Sequence, residues 1–426
     1  MSPRSKNLLI NAALFCAGLM LWGAAMEGAS RWWLRNHGDQ LDRAMLLLEP
    51  DSELIWRQKP YFRGTFEGRP VQTDRLGLRD SGGRGFDAAP KRVLVLGLSS
   101  TFGWGVGQQE PYPQQLEKLL AEKYSGARVL NAGEIGYSAA QGQALYTKRL
   151  QNLKPDLIII AYGANDPDRH RFFGNSPEPD ACLLSHEQAL KRKLPCLEHS
   201  QAAVNIPGFK TLYLASRVSG RLKERFSCPS PQGDGIPPLR QPQNEFRESL
   251  LGLARAASDS GAKILFLTTA HNFPAAPWMQ PKIARQAGEQ QDKARRELEL
   301  ARLPEAFVLL SEAAKLNPYD SGTHYLLSSV LARQNRCSES RQETAVARKL
   351  EQYRLSADYA VYNKIVKEAA QASGAAVLEL DKRLSGMNAA EIFIDPIHYS
   401  AKGNALVAGA IRDIIVARGL LDGGGQ

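Results

Sequence analysis

Five short apolar runs constrain this chain more than any other feature: Val93 to Leu96, Val129 to Asn131, Leu157 to Ala161, Ile264 to Thr268 and Val377 to Leu380. Each is continuously apolar rather than alternating, which is the pattern of a strand buried on both faces. Such strands belong to parallel sheets, whose neighbours must be joined by long crossovers. Helix-length amphipathic stretches lie between the runs, among them Pro111 to Tyr124, where a leading proline suits a first helical turn. Right-handed crossovers then give an α/β fold: a three-layer, doubly wound, flavodoxin-like parallel sheet of about five strands, with its functional groups at the strands' carboxyl ends.

Two insertions interrupt that plan. The first, at about residues 166–243, is rich in proline and cysteine and holds an amphipathic stretch from Phe209 to Phe226. It reads as a lid, a membrane-facing element or a surface excursion. The second is an all-α insertion over 293–353 that reads as three helices. Leu316 and Leu350, Ala313 and Ala347, and Glu305 and Glu339 each stand 34 residues apart, with Leu316-Asn317-Pro318 closing the helix between them. That spacing is similar to the tetratricopeptide period and makes the insertion a candidate protein-docking surface, although an ordinary helical hairpin fits equally well. Either form must be stabilised by docking on the α/β core.

The amino-terminal stretch from Leu8 to Met26 is apolar apart from Asn11 and follows Arg4 and Lys6. It is long enough to cross a bilayer as one helix. The leading positive charges favour a cytoplasmic amino end, against which Arg31 and Arg35 weigh. Gly23-Ala24-Ala25 would suit a signal peptidase, but the span is long for a cleaved leader, so residues 1–30 are expected to stay as a membrane anchor. The bulk of the chain then lies outside the cytoplasm, in the periplasm of a bacterium. Residues 31–90 form a juxtamembrane extension, in which Gly64, Gly68, Gly77 and Gly82 punctuate short strand-like runs such as Pro70-Val71-Gln72-Thr73. The α/β domain is expected over 91–292 and 354–426, on either side of the helical insertion.

A hydrophobic content of 43% and a charged content of 23% exclude a wholly disordered or multi-span chain. The formal net charge of +10 suits approach to an anionic membrane. It is spread along the chain without a zinc-finger or RNA-binding signature, so no nucleic-acid partner is expected. Of the five cysteines, Cys16 lies in the anchor behind the bulky Phe15, which does not suit lipidation. Cys182 and Cys196 bracket a short polar loop and are the expected disulfide pair in an oxidising compartment. The sequence does not fix whether Cys228 and Cys337 form a second bridge, and free thiols are the alternative for all four. No cysteine pair has metal-ligand spacing, and neither a metal nor a cofactor is expected.

Four loops carry the chemistry. The first strand ends in Gly97-Leu98-Ser99-Ser100-Thr101-Phe102-Gly103-Trp104-Gly105, and the second leads into Asn131-Ala132-Gly133-Glu134-Ile135-Gly136-Tyr137-Ser138. The third ends at Tyr162-Gly163-Ala164-Asn165-Asp166, and near the carboxyl end stands Asp395-Pro396-Ile397-His398, followed by Ser400-Ala401-Lys402-Gly403. In kind and order these blocks resemble the SGNH (GDSL-like) hydrolases, over about Arg92 to Ala417 with the insertions set aside. That resemblance implies Ser99 as nucleophile, Gly136 and Asn165 as oxyanion-hole donors, and Asp395 and His398 as acid and base. Serine is a poor nucleophile until a base takes its proton, and a histidine does so near neutral pH. A carboxylate three positions earlier in the same loop can fix the imidazole tautomer.

The implied activity is hydrolysis of an O-acyl ester on a carbohydrate or lipid near the membrane. An O-acyltransferase modifying cell-surface polysaccharide uses the same acyl-serine, and a catalytically weak binding or assembly module is the alternative from another class. That third reading is kept open by Leu98, which stands where the family has Asp before its nucleophile. Among other polar and aromatic residues, His271, His170, Asp166, Trp104 and Tyr137 read equally well as loop or packing residues.

Overall fold

The computed structural model describes residues 3–38, 40–51, 53–79, 85–169, 210–212, 214, 215, 218 and 235–422. The apolar amino-terminal stretch is helix α1 (Pro3–His37). Among the described residues it is the one helix long and apolar enough to cross a membrane, and none of its apolar window is buried in the molecule. Its last turns meet a helical fragment at 210–212, where the Glu27 carboxylate accepts the backbone N–H groups of Lys210 (2.9 Å) and Thr211 (3.0 Å).

Helix α2 (Gln40–Leu47) and two antiparallel hairpins follow, β1 (Leu48–Asp51) with β2 (Ile55–Gln58) and β3 (Arg63–Phe66) with β4 (Arg69–Gln72). Glu67 and Gly68, at φ 50° and 71°, make the tight turn of the second hairpin, matching the twist of its strands. Trp56, Phe66, Val71 and Leu78 are buried in the same apolar cluster as Leu94, Phe102 and Tyr137. The extension therefore shares the core of the α/β unit.

The five apolar runs are β5 (Arg92–Gly97), β6 (Arg128–Gly133), β7 (Leu157–Ala161), β8 (Lys263–Leu267) and β9 (Ala376–Leu378). They form one parallel sheet in the order β6-β5-β7-β8-β9. That is a doubly wound order, with its topological switch point between β5 and β7. Continuous apolarity has a direct structural meaning here. Leu94, Leu96, Ile158, Ile160, Ile264 and Phe266 enter one core, and the alternate residues Val93, Val95, Leu157, Ile159, Leu265 and Leu267 enter the other.

Between and beyond these strands lie α3 (Ser99–Phe102), α4 (Tyr112–Ala121), α5 (Ala139–Leu145) and α6 (Gln243–Asp259). Then come α7 (Pro281–Glu299), α8 (Leu303–Leu316), α9 (Ser321–Arg333), α10 (Cys337–Ala372), α11 (Leu380–Arg383), α12 (Ala389–Ile392) and α13 (Ala401–Ala417). Phe246, Leu250 and Leu253 of α6 and Tyr362, Ile365 and Val366 of α10 cover one sheet face. Leu116 and Leu120 of α4 and Val407, Ile411 and Ile415 of α13 cover the other.

The helical insertion differs from the expected three helices over 293–353. It is built from four helices beginning at Pro281, and the last, α10, runs unbroken past residue 353 onto the sheet. The 34-residue spacing has a backbone counterpart. The α7–α8 and α9–α10 turns each place one residue at positive φ, Ala301 (56°) and Asn335 (59°). Each is closed by an equivalent bond, Arg302 N to Glu297 O and Arg336 N to Leu331 O, both 2.8 Å. Ala313 and Ala347, one spacing apart, are fully buried.

Cys337, at the start of α10, is disulfide-bonded, and Cys16 is free and exposed. Cys182, Cys196 and Cys228, and with them the expected Cys182–Cys196 pair, lie outside the described residues, as does His170.

Candidate active site

Ser99 stands at the first position of α3, directly beyond the carboxyl end of β5. The turn is tight because the Leu98 carbonyl accepts the N–H groups of both Thr101 and Phe102 at 2.9 Å, and the Ser99 carbonyl those of Gly103 and Trp104 at 3.0 Å. It also sits hard against β6. A Cβ on Gly133 would stand 2.2 Å from the Phe102 nitrogen, so only glycine lets the two backbones approach.

The base comes from the other end of the chain. The bridge between Phe393 and Tyr399 closes a loop across which Ile394 N–H donates to the His398 carbonyl at 2.9 Å. Inside it, Asp395 Oδ1 accepts the backbone N–H groups of Ile397 (3.0 Å) and His398 (2.9 Å), while Oδ2 lies 2.6 Å from His398 Nδ1. His398 Nε2 lies 2.7 Å from Ser99 Oγ. Burial works to raise the Asp395 pKa, but the His398 hydrogen bond and charge and the two backbone donors outweigh it, holding the carboxyl below its ordinary value.

The Trp104 ring stacks on the His398 imidazole at 5.1 Å and 15°. It also meets Phe66 of the extension edge-on, at 4.7 Å. A flat indole face against the imidazole restricts its rotation.

Asn165 and Gly136 are brought together at the ends of β7 and β6. Asn165 Nδ2 donates to the Tyr137 carbonyl at 2.9 Å, which orients the amide and uses one of its two hydrogens. Gly136 has φ 77°, a conformation that favours glycine. Its carbonyl accepts from Arg240 Nη1 at 2.9 Å. Asp166 is fully buried and staples this region, accepting from Ala139 N–H at 2.7 Å and Gly163 N–H at 2.9 Å. Burial pushes its pKa up to about 6 despite those donors and the nearby Arg240.

Of the other residues weighed from sequence, Tyr137 is a core residue whose hydroxyl donates to the Trp56 carbonyl at 2.7 Å. His271 lies in the loop after β8 with its ring 4.8 Å from that of Tyr359, and burial lowers its pKa. Leu98 is buried against Ala164 and Tyr359, with Phe273 and Ile397 packed alongside.

Three further residues hold the site and carry no sequence signal of their own. Arg79 is 1% exposed and donates from Nη1 to the Phe102 (2.9 Å) and Gly103 (2.6 Å) carbonyls, and from Nη2 to those of Val106 and Gly107, both 2.8 Å. Burial brings its pKa down to about 9. Glu134, also buried, accepts the Gln58 N–H at 3.2 Å, and burial pushes its pKa up to about 8. Arg240 is the third. Each partner is remote in sequence, so only the folded chain brings these contacts into view.

A model of the GDSL-like lipase/acylhydrolase family matches residues 95–325, just over half of the 426-residue chain. The chain belongs to this family. The match takes in Ser99, Gly136 and Asn165 and ends ahead of the Asp395–His398 loop, which joins the other blocks through the geometry above. An arylesterase of Vibrio mimicus is 32% identical over 78 residues, and the esterase TesA of Pseudomonas aeruginosa is 34% identical over 79. Each alignment covers 18% of this chain and 39% of the relative, so the chain spans about two-fifths of the length of the curated relatives it matches. Two solved structures are similar at 14% identity and a TM-score of 0.35. These are Axe2, an acetylxylan esterase from Geobacillus stearothermophilus, over 77% of this chain and 94% of that one, and LAE5, an α/β hydrolase enzyme from the metagenome of Lake Arreo, over 79% and 98%. Scores that low add nothing to the fold already described.

Proposed function

We propose that this GDSL-family chain is a membrane-anchored serine esterase that cleaves O-acyl esters through an acyl-Ser99 intermediate outside the cytoplasm. The observation that carries this reading is the unbroken relay from Asp395 through His398 to Ser99, with contacts of 2.6 and 2.7 Å, at the switch point of the sheet. In the first step His398 Nε2 takes the Ser99 proton as Oγ attacks the ester carbon. Asp395 keeps the proton on Nδ1 and stabilises the imidazolium. The N–H groups of Ser99 and Gly136 and the Asn165 amide receive the oxyanion, each donor worth about 3 kcal/mol in a preorganised site. His398 then protonates the departing alcohol, and a water that gives its proton back to His398 releases the acid.

The compartment rests on two supports. Helix α1 is long and apolar enough to span a bilayer, and the disulfide at Cys337 favours an oxidising environment. An anchored site favours esters at the membrane surface, on a carbohydrate or a lipid, and the esterase names of the two relatives agree with the reaction class.

The test uses the detergent-solubilised full-length chain and a fluorophosphonate probe. Labelling is expected at Ser99 and abolished in Ser99→Ala, in parallel with turnover of a short-chain ester panel. Absence of both labelling and turnover in the wild type would sink the reading. Product analysis with an added polysaccharide acceptor tests the fate of the acyl group: free acid is expected, and acyl-sugar formed at its expense would replace hydrolysis by transfer.

A further inference from the structure

The residue before the nucleophile and the inserted helix form one device. Leu98 is 2% exposed and contributes no side-chain hydrogen bond to the turn it begins. Its side chain shares one small buried apolar cluster with Ala164 and with Tyr359 of α10, likewise 2% exposed. The Tyr359 hydroxyl donates to the carbonyl of Ala164 at 3.0 Å, directly before Asn165. Along the same helix, Asn363 clasps Thr269 by accepting its N–H (2.7 Å) and donating to its carbonyl (2.9 Å). Tyr362 donates to the Gln241 carbonyl at 2.6 Å and Arg354 to the Pro167 carbonyl at 3.0 Å. Tyr362 and Asn363 stand three and four positions beyond Tyr359, which puts the three on neighbouring rows of one helix surface. That surface templates the loops after β7 and β8.

We propose that Tyr359 is a positioning residue for the Ser99–Asn165 pair, and that Leu98 is its apolar complement rather than a decayed catalytic position. The ring supports the turn carrying Ser99 through Leu98, and the hydroxyl fixes the turn carrying Asn165 through Ala164. Two groups that must meet the same ester carbonyl, Ser99 Oγ at its carbon and the Asn165 amide at its oxygen, are thus set against one side chain. A carboxylate at position 98 would be desolvated among Tyr359, Phe273, Ile397 and Ala164, with the Tyr359 hydroxyl already committed. Leucine is the residue this helix calls for.

This inference rests on the esterase reading, so its test carries one readout that does not depend on turnover. In the full-length chain, Tyr359→Phe keeps the ring and removes the hydroxyl. The expected result is a fall in kcat of about tenfold with KM changed less than about twofold, the signature of a group acting on the transition state. Hydrogen exchange in the 162–168 segment should quicken by a similar factor. Leu98→Asp should lower kcat further, and Leu98→Met, which keeps volume and apolarity, should retain it. An increase in kcat/KM for Leu98→Asp, or unchanged kcat and unchanged exchange in Tyr359→Phe, would overturn the assignment. If the wild type turned over no ester, the esterase reading would fall and exchange alone would judge the placement of the Asn165 turn.

Discussion

The loop that carries the base and the turn that carries the nucleophile are built in opposite ways. Asp395–His398 is built mainly by its own bonds: its carboxylate accepts two N–H groups from its own loop, and the Phe393–Tyr399 bridge closes it. The Asn272 N–H on the Pro396 carbonyl (2.7 Å) and the Trp104 stack are its outside supports. The Ser99 turn has its own short bonds, but its outer carbonyls are held by Arg79 of the extension, and Leu98 leans on Tyr359 of the inserted helix. The Asn165 and Gly136 turns likewise depend on Tyr359 and Arg240. Locally built parts tolerate change elsewhere in the chain, whereas scaffolded parts inherit every perturbation of their supports.

Four substitutions can break or sharpen that contrast. The largest effect is expected at the self-built loop, where Asp395→Asn removes the carboxylate that selects the imidazole tautomer. It should lower kcat on the order of 10⁴-fold while leaving the thermal unfolding midpoint within a few degrees, as steady-state kinetics and calorimetry would report. Next comes Arg79→Ala, which strips the partner from four carbonyls at once. It should destabilise the chain by about 3 kcal/mol or more and lower kcat with it. A stable Arg79→Ala with full activity would end the contrast.

Glu134 supplies the pH test. Its folded pKa of about 8 lies above the ordinary 4.5, so the folded state keeps a proton that the unfolded chain releases. Stability from this group is full below the unfolded value and is lost as pH rises toward the folded one. Glu134→Gln should therefore raise the melting temperature by several degrees at alkaline pH, with the gain shrinking as pH falls through that window. The smallest effect belongs far from both regions. Asp320 caps α9 by accepting from Gly322 and Thr323 N–H, and Asp320→Ala should cost about 1 kcal/mol of stability with kcat unchanged.

What the sequence made legible follows the same divide. The five strands were readable because burial on both faces leaves a local, contiguous pattern, as in Leu157–Ala161. Asp395 and His398 were readable as a pair because they stand three positions apart in one loop. Arg79, Arg240 and Tyr359 were not, since each meets its carbonyls across 23 or more residues and a lone arginine or tyrosine has no periodicity. The boundary placed at 353 missed a signal that was present: Cys337 to Ala372 contains neither glycine nor proline to end a helix.

That continuous helix fixes which parts of the chain can be removed separately. At about 1.5 Å per residue, α10 is one rod of 36 residues, packed in the second helical hairpin at its start and against the catalytic loops and sheet further along. A deletion that trims the hairpins back to residue 353 cuts the rod partway and leaves the stretch bearing Tyr359 without its lead-in. Such a truncated chain would have to hold the turn after β7 by other contacts. Helical insertion and sheet are therefore mechanically one body, joined by a continuous rod and not by a separable linker.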